Sequence, residues 1–166
     1  MEEEPAIGAA RELQEETGLT GLELAPLFAA GRTGRDPRAR CITLVYGTLV
    51  DGGSLHPEGG DDARQAGWFP LEAPPAMAFD HADLLREIGR HLGWQARTAL
   101  IGRRLWPAAF PGEALEELHR SLLGPTAEPA VARGLRLGLL QTAEGPGTFR
   151  FTPPPPALPD WQELVW

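Results

Sequence analysis

The sequence feature that most constrains this chain is the helix-forming run Arg11–Leu19, which reads RELQEETGL. A helix turns about 100° per residue, so Glu12, Glu15 and Glu16 fall within an arc of about 100° on one side. Apolar residues cluster on another side of the helix: Ala6, Ala9, Ala10 and Leu13. That side can pack against the rest of the protein while the carboxylates face outward over a site. Gly18 is expected to end the helix, because glycine readily adopts the left-handed conformation of a helix stop.

Carboxylates so close together repel one another and do not stabilise a helix, so the pattern predicts a compensating partner. Magnesium prefers oxygen ligands and commonly bridges carboxylates to the phosphates of a substrate. Arg11, four residues before Glu15, can hold that carboxylate in place. The alternative interpretation is a solvated acidic helix end. Five fixed residues at this spacing match by chance roughly once in a million positions, which favours the metal site.

The run resembles the Nudix box, G-x5-E-x7-R-E-U-x-E-E-x-G-U with U aliphatic, and Glu3 stands at the position of its first glutamate. The resemblance implies hydrolysis of a nucleoside diphosphate linked to another moiety. It also implies that Glu12, Glu15 and Glu16 bind Mg²⁺, or Mn²⁺, and that Arg11 belongs to the same catalytic set.

The opening glycine of the Nudix box would precede Met1, and the family's strands that lead into the box are not found in the sequence. We therefore expect an N-terminally truncated Nudix domain. One alternative that follows is an inactive truncated product.

Composition limits the remaining classes of protein. The 166 residues are enough for one full domain or two small ones, and 17 prolines and 20 glycines indicate many loops. The net charge of −8 excludes a generally basic nucleic-acid surface. Cys41 is the single cysteine, so no internal disulfide can form. The acidic start and the lack of a long apolar stretch predict a cytoplasmic protein with no membrane partner.

Hydrophobic patterning predicts an α+β fold. The first domain is expected over residues 1–95. Three strands are expected after the box helix: Leu22–Phe28, Cys41–Val50 and Ala66–Leu71. The second of these strands is expected to be central in a sheet. Asp80 is expected to cap a helix over His81–His91, which Gly93 would end.

Residues 98–152 predict a second, small domain. Two helices, Glu113–Leu122 with Leu115 inside and Glu128–Leu137 with Leu135 inside, precede a hairpin over Leu139–Phe151. Helix, turn, helix and hairpin in this order are the outline of a winged helix. Residues 153–166 form a proline-rich C-terminal tail.

Three further stretches resemble one branch of the Nudix superfamily: Arg35–Arg38 before the second strand, Gly60–Ala63 before the third, and Ala78–His81 at the start of the following helix. That branch contains ADP-ribose pyrophosphatases. It also contains transcriptional regulators of NAD metabolism that join a Nudix domain to a C-terminal winged helix.

Arg35 and Arg38, with Arg40 nearby, are candidate substrate-binding residues, because guanidinium groups can bind diphosphate oxygens in a bidentate manner. The alternative is a solvated loop in which these arginines form a salt bridge with Asp36.

Loop acids could supply a general base or a further metal ligand: Glu58, Asp61 and Asp62. The alternative is that these loop carboxylates have no chemical role.

The complete acidic set of the box favours an enzyme acting on a nucleotide substrate over a regulator. For a regulator, the DNA-contacting residues would be Arg133 and Arg136 on the second helix and Arg150 in the hairpin. So few cations, preceded by an acidic helix, make DNA a possible but not a favoured partner. A winged helix used instead for contacts in a homodimer is the other interpretation.

Overall fold

The computed structural model describes residues 3–59, 66–106 and 108–153. The chain divides into two compact units, Met1–Gln95 and Ala96–Trp166. The expected tail lies almost entirely outside the described residues, as do Asp61 and Asp62.

The described residues of the first unit form two helices, two strands and a short 3-10 turn: α1 (Pro5–Thr17), β1 (Ala25–Ala30), β2 (Thr43–Gly47), Gly52–Ser54 and α2 (His81–Thr98), whose last turn belongs to the second unit. Strands β1 and β2 are antiparallel, and their register shifts between Pro26 and Phe28. Proline has no N–H group to donate, which explains the irregularity at that point.

The central position expected for the second strand is wrong within the described residues. There the sheet of the first unit has two strands, and β2 covers only the middle of the expected Cys41–Val50. Ile42, just before β2, and Leu44, in β2, are at least half exposed, which a strand in the middle of a covered sheet would not show.

The strand expected at Ala66–Leu71 does not form. Pro70 cannot donate to a strand ladder, and the described residues provide no neighbouring strand for this segment. The Trp68 indole N–H instead donates to the carbonyl of Leu55 over 3.2 Å. This segment therefore remains a loop held by a side chain.

Helix α2 continues past the expected stop at Gly93 and ends at Thr98. A glycine inside a helix costs only about 1 kcal/mol relative to alanine, so good helix-forming neighbours can carry the helix through it. The side chains of His91 and Gln95, one turn apart, lie within 3.0 Å of each other on either side of Gly93.

The second unit has the expected helix, turn, helix and hairpin order. Its elements are β3 (Phe110–Pro111), α3 (Gly112–Leu123), α4 (Ala130–Arg136), β4 (Leu140–Thr142) and β5 (Thr148–Phe151), and β5 pairs antiparallel with both other strands. This is the winged-helix-like half of the expected α+β fold.

The buried apolar side chains of the described residues lie in this second unit: Ala96, Leu100, Phe110, Leu115, Ala130 and Leu140. Leu135, expected inside, is 41% exposed. Helix α4 turns Arg133 and Gly134 toward the interior instead. Gly134 allows close packing, because a Cβ built there would lie 2.5 Å from Leu100 Cδ1.

Candidate active site

Helix α1 presents its carboxylates to solvent. Pro5 occupies its first turn, and the helix ends at Gly18, which adopts the left-handed conformation with φ 70° and donates its N–H to the Gln14 carbonyl at 2.8 Å. Glu12, Glu15 and Glu16 are all exposed, as expected. The packing side is weaker than expected, because Ala9 and Leu13 are half-buried while Ala6 and Ala10 are exposed.

Arg11 is the centre of an ion-pair network on this helix. Its guanidinium lies 2.7 Å from a carboxylate oxygen of Glu12, 2.7 Å from one of Glu15 and 3.2 Å from one of Glu3. The hydrogen bond with Glu3, and then that with Glu12, raises the pKa of Arg11. The pairing with Glu15 that the spacing predicted is present, and Glu3 joins it from the start of the helix.

The carboxylates do not converge on a common point. Within the described residues, no three acidic, imidazole or thiol groups lie close enough together to hold a metal ion. Arg11 draws Glu12 and Glu15 toward its guanidinium, because opposite charges attract where like charges repel. Carboxylate oxygens are the ligands that a hard cation prefers, so the chemistry of these donors suits magnesium, although Glu12 and Glu15 are here paired with Arg11.

Of the three loop acids, the described residues include only Glu58. Its backbone N–H donates to the Thr17 carbonyl over 2.9 Å, which places it beside the C-terminal end of α1. A cleft of about 310 Å³ opens next to this end, lined among others by Glu16, Trp68 and Phe69. Glu58 is thus near the carboxylate helix, and its side chain is exposed.

The structure does not leave Arg35 free to bind a substrate. Its side chain is only 5% exposed, and it donates to both carboxylate oxygens of Asp80, at 2.9 and 3.0 Å. It also donates to Thr43 and, at 3.3 Å, to Cys41. The expectation of a substrate clamp at Arg35 is therefore corrected, because its hydrogen-bonding groups are used to join three segments of the first unit.

Arg38 is in a different position, on the surface. Its guanidinium lies 2.7 Å from Asp36 and 4.6 Å from the centre of the Phe79 ring. Hydrogen bonds from the Arg38 side chain and backbone lower the pKa of the Asp36 carboxyl to about 2. The expected salt bridge with Asp36 thus forms with Arg38, whose side chain remains 70% exposed.

Sequence reasoning assigned Asp80 only a helix cap. Its carboxylate instead accepts from Arg35, 45 residues away in sequence, while its backbone carbonyl accepts from Leu84 at the start of α2. The sequence pattern gives no role to Phe79. The sequence signal for the Arg35–Asp80 pair is the opposite charge of these two residues, which lie in the short motifs Arg35–Arg38 and Ala78–His81.

In the second unit, only two of the three arginines expected at DNA are on the surface. Arg133 is buried, with its guanidinium directed at carbonyls of the last turn of α2 and at His119. This corrects its expected role, because a buried guanidinium cannot reach a phosphate. Arg136 is exposed and lies 2.7 Å from Glu128, and Arg150 is exposed on β5.

The sequence of the carboxylate helix and the strands after it matches a family model described as the NUDIX domain, over residues 1–88. The chain belongs to the Nudix family. The matched range covers α1, both strands of the first unit and the start of α2.

Two curated proteins are similar to part of this chain. An ADP-ribose pyrophosphatase of Methanocaldococcus jannaschii is 39% identical over 80 residues, which are 48% of this chain and 46% of that protein. The ADPR responsive transcriptional repressor NtrR of Acinetobacter baylyi is 28% identical over 127 residues, 75% of this chain and 50% of that protein. The chain thus spans about half the length of the curated relatives it matches.

Solved structures support the Nudix assignment at the level of fold. A MutT/nudix family protein from Enterococcus faecalis aligns with a TM-score of 0.72 at 16% identity, covering 90% of this chain and 69% of that one. Shewanella oneidensis NrtR, in a crystal structure with a 27mer DNA, aligns with a TM-score of 0.57 at 21% identity, covering 86% and 69%. No helix in the described part of this Nudix protein is long and apolar enough to cross a membrane.

Proposed function

We propose that this protein is a Nudix hydrolase that cleaves the diphosphate of a nucleoside diphosphate linked to another moiety, such as ADP-ribose. The observation that carries the proposal is the exposed carboxylate face of α1, where Arg11 is within ion-pair distance of Glu12 and Glu15. The ADP-ribose pyrophosphatase named above supports the choice of substrate.

Magnesium would be held by Glu12, Glu15 and Glu16, and when bound it would neutralise the diphosphate and polarise its phosphorus–oxygen bonds. Arg11 orients Glu12 and Glu15 through its two 2.7 Å ion pairs. Glu16 has no ion pair with any described residue and lines the cleft beside the end of α1, so its carboxylate is available there. Glu58, or the loop acids at 61 and 62, could accept a proton from the attacking water.

Replacing Glu16 by Gln tests the proposal, because the amide keeps the shape but removes the negative charge. Loss of even an outer partner of a metal ligand typically costs about 10- to 100-fold, so hydrolysis of ADP-ribose by the 166-residue chain should fall by at least about 100-fold. Glu4→Gln, before the first turn of the same helix, is the matched control and should leave the rate unchanged. Undiminished turnover in Glu16→Gln, or in the presence of EDTA, would disprove the metal mechanism. No hydrolysis by the unaltered chain would favour the inactive product instead.

A second candidate is a transcriptional regulator that responds to ADP-ribose. It is favoured by one observation: the similarity to the repressor NtrR covers 75% of this chain, more than the first unit contains. Because Arg133 is buried, DNA contacts would rest on Arg136 and Arg150 in each copy, including in a homodimer.

Fluorescence anisotropy with duplex DNA from the protein's own operon distinguishes the two functions. The slope of log affinity against log salt concentration becomes more negative by about 0.9 for each phosphate contact. Two exposed arginines per copy therefore predict weak binding with a shallow salt dependence. Tight binding at physiological salt that ADP-ribose weakens would make the regulator the better assignment.

A further inference from the structure

The buried Arg35–Asp80 pair joins two surface segments of the first unit. Arg35 belongs to the loop before β2, and Asp80 immediately precedes α2. Two parallel hydrogen bonds, 2.9 and 3.0 Å long, connect the guanidinium with the carboxylate. The side chains are only 5% and 14% exposed, so the pair is shielded from competing water. The position of residues 35–38 is therefore coupled to that of residues 79–81.

Phe79, immediately before Asp80, has a strained backbone conformation. Its φ angle is 50°, and among the described residues it is the one non-glycine residue with positive φ. A bulky side chain is unfavourable in this region, so the surrounding contacts must hold it there. The ring is 57% exposed, so burial of the ring does not explain the strain.

The exposed ring of Phe79 supports the Arg38 guanidinium, which lies 4.6 Å from its centre. Asp36 holds the same guanidinium from another direction, with contacts of 2.7, 3.0 and 3.3 Å. Two partners thus restrict a long side chain that would otherwise sample many rotamers on the surface. A fixed guanidinium loses less conformational entropy when it binds an anion.

We infer that Phe79 and Asp80 are positioning residues that hold Arg38 ready to bind the diphosphate of the nucleotide ligand. The inference rests on the proposed function. The strain at Phe79 is the cost of placing its ring under Arg38, and the Arg35–Asp80 pair is what maintains it.

Substitution by glycine separates strain from function at this position. Phe79→Gly removes both the unfavourable φ and the ring, so thermal stability should stay the same or increase. The KM for ADP-ribose should rise about two- to tenfold, because Arg38 would then have to be immobilised when the ligand binds, and kcat should stay unchanged within about twofold. Phe79→Tyr keeps the ring and should restore the KM. Arg38→Ala should raise the KM about 10- to 100-fold.

Met77→Ala is the matched control, because it removes another exposed apolar side chain from the same segment and should change neither KM nor stability. Binding of ADP-ribose and of AMP, measured by calorimetry on the full chain, gives a readout that does not require hydrolysis. Phe79→Gly should weaken binding of ADP-ribose more than that of AMP, because AMP lacks the diphosphate.

The outcomes separate this inference from the proposed function. Hydrolysis with an unchanged KM in Phe79→Gly overturns the inference alone, as does a loss of stability with a parallel fall in kcat. Binding that depends on Arg38 and on an aromatic ring at position 79, without any hydrolysis, supports the inference and overturns the proposed function. If the chain neither binds nor cleaves ADP-ribose, both are wrong.

Discussion

The Arg133 guanidinium lies against the buried imidazole of His119, with Arg133 Nη2 3.1 Å from His119 Nδ1. The same nitrogen donates to the Ala96 carbonyl, and the guanidinium also reaches the carbonyls of Arg97 and Ala99 at 3.3 and 3.4 Å. These carbonyls lie in the last turn of α2 or just beyond it, where a helix leaves acceptors unpaired and carries partial negative charge. Arg133 therefore closes the end of α2 from α4.

Replacement of Arg133 by Ala should lower the free energy of unfolding of the second unit by about 2–4 kcal/mol, because the buried Ala96 carbonyl and the partly buried carbonyls of Arg97 and Ala99 lose a charged donor. Denaturant titration of the full chain measures this. Arg136→Ala, one turn later on the same helix, removes an exposed ion pair and should cost less than about 1 kcal/mol. Equal effects of the two substitutions would contradict the capping role.

Acidification should destabilise the second unit through His119. Burial, and then the neighbouring Arg133 charge, lower the pKa of this histidine below its ordinary 6.5, while Glu116 and the Ile101 backbone oppose the shift. Below pH 6.5 the unfolded chain takes up the proton and the folded chain does not. The stability is thus complete above pH 6.5 and falls below it by up to about 1.4 kcal/mol per pH unit.

Hydrogen exchange of the Leu115 and Leu140 amides at pH 7.5 and 5.5 measures this loss. His119→Gln keeps an acceptor for Arg133 but cannot be protonated, so its stability should change less between the two pH values. A variant with the same pH dependence as the unaltered protein would assign the effect to other groups.

Gly134→Ala should destabilise α4 although alanine favours a helix. The added Cβ would lie 2.5 Å from Leu100 Cδ1 and 2.7 Å from Leu140 Cδ1. Overpacking of this kind costs about 1–3 kcal/mol, which exceeds the helix-propensity gain of about 1 kcal/mol. Thermal unfolding is the measurement, and Ala132→Gly at an exposed position of α4 gives the propensity contribution alone. A more stable Gly134→Ala variant would show that the leucines move aside easily.

Arg11→Gln should impair catalysis by releasing Glu12 and Glu15. Loss of a residue that orients metal ligands costs about 10- to 100-fold, and we expect this fall in kcat/KM together with a higher magnesium requirement. A magnesium titration of ADP-ribose hydrolysis tests it. Arg86→Gln, which breaks an exposed pair with Asp83 on α2, is the control. An unchanged magnesium requirement would show that the Arg11 ion pairs do not orient metal ligands.

The features of the carboxylate helix that depend on local sequence were predictable. Periodicity places Glu12, Glu15 and Glu16 on one side of α1, and a glycine with φ 70° ends the helix where the sequence indicated. The pairing of Arg11 with Glu15 follows from a separation of four residues on a helix. The resemblance to the Nudix box lies in this same local stretch, and the NUDIX family model matches it within residues 1–88.

The environments of the arginines were decided only by the tertiary structure. Arg35 and Arg133 were expected at ligands, yet both are buried by partners distant in sequence: Asp80, 45 residues from Arg35, and Ala96, 37 residues from Arg133. A guanidinium is equally suited to a phosphate, a carboxylate or the end of a helix. The sequence by itself therefore determined which residues can bind anions, and packing between distant segments decided which of them remain accessible to a ligand.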